Sequence, residues 1–166
     1  EAISGIEVFA LDHNYHILVC NTRESYDLEK SIIRKLINRR VDGIIVSLSR
    51  ETKNFDHLLE LRTKNIPFVL FNRIVEDLDA SKVCVDDKDG AIKAVDHLNK
   101  KGYKKIAHIQ GPSGLMLSEK RKEGYLAALQ KLGITPDTGW VINGDFTLNS
   151  GKQCVESLMK LENKPD

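Results

Sequence analysis

Three places in this sequence put hydrogen-bonding or aromatic side chains close behind an apolar run. Asn72 and Arg73 follow Phe68-Val69-Leu70-Phe71, and Phe146 follows Trp140-Val141-Ile142 after a Gly144-Asp145 turn. Arg121 stands near the start of the helical stretch that comes after residues 105–109. A guanidinium donates in a fork that matches vicinal hydroxyls or a carboxylate, and an amide side chain both donates and accepts. An aromatic face stacks on the apolar side of a sugar ring. In open α/β sheets ligands sit beyond the carboxyl ends of the strands, so residues just past each apolar run are candidates for ligand contact. An arginine at a helix N-terminus opposes the helix dipole, so the placement of Arg121 asks for a reason. Leu115, Met116 and Leu117 in the neighbouring loop either line an apolar part of a pocket or fold back on the body of the protein.

Catalytic patterns are missing. Asp86, Asp87 and Asp89 precede a helical stretch, where carboxylates cap and complement the dipole more often than they hold a metal. His108 sits inside an apolar run and is expected to pack. Neither a Ser-His-Asp order, a Gly-x-Ser-x-Gly elbow nor a phosphate-binding loop is present, since Gly111-Pro112-Ser113-Gly114 lacks the Lys-Ser/Thr ending. The sequence is read as a non-enzyme with no metal site and no cofactor.

The elements that must position these residues alternate between short β-branched runs and amphipathic stretches, the pattern of a parallel sheet covered by helices. Strands are predicted at 16–20, 44–47, 68–71, 82–85, 105–109 and 140–142. Helices are predicted at 3–11, from a Ser25 or Asp27 cap through the Arg39-Arg40 pair, and at 54–63, 88–100, 119–132 and 150–161. Gly102 and Gly133 are expected to close the fourth and fifth helices. Most strands are apolar on both faces, as a sheet between two helix layers requires. The cycle of strand and helix restarts near Lys105, so residues 1–104 are read as a first lobe and residues 105–166 as the opening of a second.

Composition bounds the function class. The 166 residues carry 25 basic and 24 acidic side chains, a formal charge of +1, so no basic excess marks the segment as a nucleic-acid binder. A hydrophobic fraction of 41% suffices for a core. The apolar runs are far too short to span a bilayer. Cys20, Cys84 and Cys154 are odd in number and widely spaced, which fits reduced thiols in a cytoplasmic protein better than a disulfide or zinc framework.

Specific words then appear at the element edges. Arg40-Val41-Asp42-Gly43-Ile44-Ile45-Val46 resembles the R-x-V-D-G-I-I segment of the lactose-repressor (LacI) family. Residues 102–112, running from Gly102-Tyr103 to Gly111-Pro112, resemble its G-H-R-x-I-A-x-I-x-G-P. Arg121, Gly124, Tyr125, Ala128 and Leu129, followed by Gly133-Ile134, match its R-x-x-G-Y-x-x-A-L…G-I, and Gly144-Asp145-Phe146 with Ser150-Gly151 matches G-D-F…S-G. Four words in the right order cover nearly all of the chain.

The resemblance implies a periodic pair of Rossmann-like lobes, the periplasmic-binding-protein-like type I fold, with the first strand and most of the second lobe outside this sequence. It implies the effector-binding core of a cytoplasmic transcription regulator. A small molecule, a sugar or sugar derivative, would bind between the lobes and alter the geometry of a homodimer. Operator DNA would be read by a helix-turn-helix headpiece outside this chain, and no membrane is involved. It also implies ligand roles for Asn72 and Arg73 (where the family usually has Asp-Arg), for Arg121 reaching across the cleft, and for Phe146 as a stacking platform. Asn in place of Asp removes a charge from the usual hydroxyl acceptor. A secreted sugar-binding protein serving a transporter shares this fold and is the first alternative; an α/β enzyme is the second.

Overall fold

Helices form where the sequence supplies a cap and one apolar face, and strands where β-branched residues cluster between them. The computed structural model describes residues 2–166. Their order is α1 (Ala2–Asp12), α2 (Tyr26–Asn38), β1 (Ile44–Val46), α3 (Asp56–Thr63), β2 (Phe68–Phe71), β3 (Ser81–Val83), α4 (Asp87–Lys100), β4 (His108–Gln110), α5 (Met116–Lys131), a single 3-10 turn (Thr138–Trp140), β5 (Val141–Asn143) and α6 (Leu148–Met159). The chain is an α/β fold whose parallel strands are flanked by helices. One sheet has the order β1-β2-β3 and a second pairs β4 with β5. β2 and β3 run parallel with Leu70 opposite Lys82, and β4 and β5 run parallel with Ile109 opposite Ile142. The backbone divides into two compact units, one running up to Ile44 and from Leu48 to Pro67, the other comprising Ile45–Ser47 and Phe68–Asp166.

In the first unit Ser25 caps α2, its hydroxyl accepting from the Leu28 amide. Ile33 on α2 and Leu58 and Leu61 on α3 are buried, and Arg34 lies 3.9 Å from Glu60 between the same two helices. The strand expected at 16–20 is not formed. A strand needs a neighbour to satisfy its amides and carbonyls; none pairs with this stretch, and Leu18 and Val19 are exposed. α1 forms where a helix is expected, yet buries no side chain, with Val8 and Phe9 exposed.

A buried carboxylate ties the first unit together. Glu29 on α2 is 1% exposed. It accepts from the Ser49 amide at 2.6 Å, the Thr52 hydroxyl at 2.8 Å and His57 Nε2 at 2.8 Å. An ionised carboxylate only accepts, so Nε2 carries the proton, and Nδ1 is buried without a partner. The Ser49 hydroxyl donates to Thr22 Oγ1 at 2.7 Å, and the Arg50 amide donates to the Glu24 carboxylate at 2.8 Å. Through these bonds the loop leaving β1 is fixed to α2, to α3 and to the segment before α2. Burial pushes the Glu29 carboxyl up, but the bonds from His57, Ser49 and Thr52 outweigh it and hold it below its ordinary 4.5.

In the second unit α4 and α5 pack over β4. Val95, Ile106, Tyr125, Ala128 and Leu129 form the buried core, and the Tyr125 hydroxyl donates to the Ile106 carbonyl at 2.8 Å. Burial pushes the Tyr125 phenol up to about 12. Gly124 lets the two helices meet: a Cβ there would stand 2.3 Å from the Lys88 carbonyl oxygen and 2.9 Å from Ala91 Cβ. Gly102 and Gly133 take positive φ after α4 and α5, as expected of closing glycines. The other face of the strands is less covered than two helix layers would make it. Ile45, Val83 and Ile109 are exposed, because nothing among the described residues lies over them.

Two outcomes test this packing. Gly124→Ala should lower stability by about 2 kcal/mol in urea unfolding, although alanine is the better helix former by about 1 kcal/mol; a variant as stable as the parent would show the helix contact to be loose. Glu29 with its depressed pKa stabilises the fold above about pH 4.5, and that contribution is lost as pH falls through the folded-state value. The gap in melting temperature between the parent and Glu29→Gln should therefore be widest near neutrality and close in acid. A gap independent of pH would contradict the depressed carboxyl.

Candidate functional site

Parallel strands deliver their carboxyl ends to loops, and three of the sequence-predicted residues, Asn72, Arg73 and Phe146, stand there. Asn72 follows β2 in the left-handed region at φ 62° and is exposed; its amide donates to the Val83 carbonyl at 2.8 Å, extending the β2–β3 ladder by one bond. The Arg73 amide donates to the Phe71 carbonyl at 2.6 Å, so the chain turns sharply and Arg73, half-buried, leaves the strand end.

A second group gathers at the ends of β4 and β5. The Gly144 amide donates to the Gln110 carbonyl at 2.7 Å, continuing the pairing past β5. Asp145 accepts from the Thr147 amide and Thr147 caps α6 through the Ser150 amide, so the turn that carries Phe146 is held on both sides. Phe146 has φ 68° and its ring is 53% exposed. The ring tip lies on Gly111, where a Cβ would be 2.1 Å from Phe146 Cζ and 2.6 Å from the Ser118 hydroxyl. Glycine at 111 is the residue that lets the ring rest on the end of β4. Ser118 is 1% exposed, and its hydroxyl is buried without a hydrogen-bond partner. The Gln110 side chain donates to Glu119 at 2.8 Å beside it.

Arg121 has a different setting from the one expected. α5 begins at Met116, three residues earlier than predicted, so Arg121 occupies the second turn and the dipole objection to it falls away. Its Nε donates to Asp87 Oδ1 at 2.7 Å, and the Asp87 side chain is 10% exposed. The two Nη groups have no partner among the described residues and remain available as forked donors. Ser118 and Arg121 are three apart on α5 and share a face.

The acidic cluster resolves into structural roles. Asp86 caps α4 by accepting from the Asp89 amide, Asp87 holds Arg121, and Asp89 pairs with Lys93. Among the described residues no group of three or more His, Cys, Asp or Glu is placed to hold a metal. His108 packs as expected, stacked on Tyr125 at 5.2 Å between ring centres. Burial, with Lys122 and Arg121 nearby, holds its pKa below the usual value. Of the three loop apolar residues, Leu117 folds back into the core, while Leu115 and Met116 are half-buried.

A groove of about 500 Å³ lies between α4 and β4, walled by Ala91, Val95, Leu98 and Ile106, with Arg121 and Asp87 among its polar residues. Its apolar walls offer few partners for hydroxyl groups, so the strand ends are the better match for a polar ligand. Sequence reasoning missed Ser118, Gly111 and the Glu29–His57–Ser49 cluster. Gly111 and Ser118 lie in or beside matched words, but nothing in their residue types signals a cradle or a buried hydroxyl.

Comparison with known proteins identifies the family and the fold. The family model described as periplasmic binding proteins and the sugar-binding domain of the LacI family matches residues 1–166. The transcriptional repressor CytR of Escherichia coli strain K12 is 33% identical over 165 residues, covering 99% of this chain and 48% of the repressor. Among solved structures, transcription regulator CcpA of Lactococcus lactis superposes with a TM-score of 0.82 at 25% identity, over 95% of this chain and 58% of that one. A complex of the transcriptional regulator CelR with cellobiose gives 0.81 at 26% identity, over 95% of this chain and 48% of that one. The chain thus spans about half the length of the curated relatives it matches. No described helix is long and apolar enough to cross a membrane. With a family model that matches its whole length and the family's words at the strand ends and helix starts, the chain belongs to the LacI family, as part of its periplasmic-binding-protein-like sugar-binding domain.

Proposed function

We propose that the chain is the effector-binding core of a sugar-responsive transcription regulator. The observation that carries this reading is the meeting of an aromatic ring and a buried hydroxyl over Gly111 at the carboxyl ends of β4 and β5, with an arginine held by Asp87 one helical turn further along α5. That set suits a ring with one apolar face and several hydroxyls. Arg73 and Asn72 at the end of β2 supply further donors and one amide acceptor. The matched relatives named as transcriptional repressors favour this reading over a transporter's binding protein and over an enzyme. The cellobiose complex of CelR favours a saccharide as the effector class.

In this reading the parent protein has two lobes, residues 1–104 in the first and residues 105–166 opening the second. A ligand held between lobes shifts the regulator only through its unequal affinity for two lobe arrangements. Operator binding resides in a headpiece outside this chain, the protein acts as a homodimer in the cytoplasm, and neither metal nor cofactor takes part.

Arg121 decides the reading. Arg121→Ala should weaken cellobiose or ribose binding by about tenfold or more in calorimetry, the loss expected of a charge-assisted pair of hydrogen bonds. Asp87→Asn, which removes the ion pair but keeps the guanidinium, should cost far less affinity. Equal melting-temperature losses in the two variants with unchanged sugar affinity would make Arg121 a structural residue and remove it from the site.

A further inference from the structure

Among the described residues three side-chain polar atoms are buried without a partner: His57 Nδ1 on α3, His108 Nε2 at the start of β4, and the Ser118 hydroxyl, which lies beside Gly111 just past the carboxyl end of β4. A buried hydroxyl with no hydrogen bond is costly, so its retention needs an explanation beyond packing. Alanine fits the same space without that cost. The atoms above it are informative. Phe146 Cζ and Cε1 and the Ser118 hydroxyl all crowd the point where a Gly111 Cβ would stand, at 2.1, 2.3 and 2.6 Å. The ring tip and the hydroxyl therefore adjoin the same small space over Gly111. The ring is a poor permanent cover, because Phe146 is 53% exposed and meets Gly111 through the tip of its ring. Its backbone is fixed by the Asp145 and Thr147 bonds, so the side-chain torsions are the part free to turn.

We infer that Ser118 is a specificity-determining residue of the effector site, a polar floor covered by the Phe146 ring and uncovered when that ring turns to stack on a ligand. The inference rests on the effector reading above and deepens it. The ligand class it selects is a ring bearing a hydroxyl at the edge that meets α5, with an apolar face for Phe146. A ring of the same shape lacking that hydroxyl leaves Ser118 without a partner and gains nothing from turning the cover. Gly111 is required in this device because any side chain there occupies the space of both the ring tip and the hydroxyl.

Two arms test it in the chain as it stands. The first reads the cover without any sugar. In a Cys20→Ser, Cys84→Ser background, which removes the two exposed thiols, Ser118→Cys should react slowly with iodoacetamide. Adding Phe146→Ala should speed the reaction about tenfold or more, and adding Leu148→Ala, an exposed neighbour, should not. Equal rates with and without Phe146 would overturn the cover. The second arm reads the hydroxyl. Ser118→Ala should leave the melting temperature unchanged or higher, since it removes a buried unpaired group, and weaken binding of whichever of cellobiose and ribose the parent binds by about fivefold, the value of one neutral hydrogen bond. A lower melting temperature with unchanged affinity would make Ser118 structural and overturn its role alone. Failure of the parent to bind either sugar would overturn the effector reading and the ligand role of Ser118 with it, while the thiol rates still decide the cover.

Discussion

Two parallel strands cannot be joined by a tight turn; the chain must return through a longer crossover, most often one that carries a helix. That constraint governs this molecule. Every strand of a parallel pair then ends on the same edge of its sheet, and after every strand but β2, which runs on to β3, the loop that follows leads into a helix. Side chains that are far apart in sequence are collected at one edge because the backbone has no other way to close. Gln110 and Asn143 are opposite one another in the β4–β5 register, so the residues just beyond them, Gly111 and Phe146, meet although they are 35 positions apart in sequence. The site belongs to the topology before it belongs to any residue.

Much of that topology is legible in the sequence, and the parts that are not fail for identifiable reasons. The runs at 68–71 and 140–142 and the helices closed by Gly102 and Gly133 depend on local signals, periodicity and a residue that tolerates positive φ, and they form close to where they are expected. The stretch at 16–20 has the same β-branched character but forms no strand, because strand formation depends on a neighbour's amides and carbonyls, which local sequence does not encode. The start of α5 moved for a related reason. Leu117 is buried and pulls the loop into helix, so the helix begins before the charged residues that suggest a start at Glu119. That shift changes the meaning of Arg121, from a cation opposed by a dipole to a second-turn residue held by Asp87.

The candidate site was legible at the level of residue type and not at the level of contact. Arg73, Arg121 and Phe146 stand out because guanidinium and aromatic groups after apolar runs are chemically conspicuous. Ser118 does not stand out, since serine near a helix start is ordinary and its burial becomes visible only once Gly111 and Phe146 are placed against it. The same holds for Glu29. On sequence it reads as one more charge on the solvent face of α2, whereas the fold turns it inward against Ser49, Thr52 and His57.

The two buried polar groups make an instructive contrast. Glu29 has three donors on its two oxygens, and a charge so fully satisfied in a low-dielectric setting fixes the loops around it into one arrangement. Such a cluster resists rearrangement, because breaking any one bond leaves a buried charge short of partners. Ser118 is neutral and has no partner, so moving its neighbours costs it nothing and a new partner can only help. A binding module needs both kinds of group. Rigid loops keep the strand ends in register, and a single unsatisfied atom at one of those ends leaves a free-energy gain for a ligand to realise. The satisfied charge lies beside β1 and the Ser118 hydroxyl beside β4, held by different sets of contacts. Loop order in the one place therefore does not depend on ligand contact in the other.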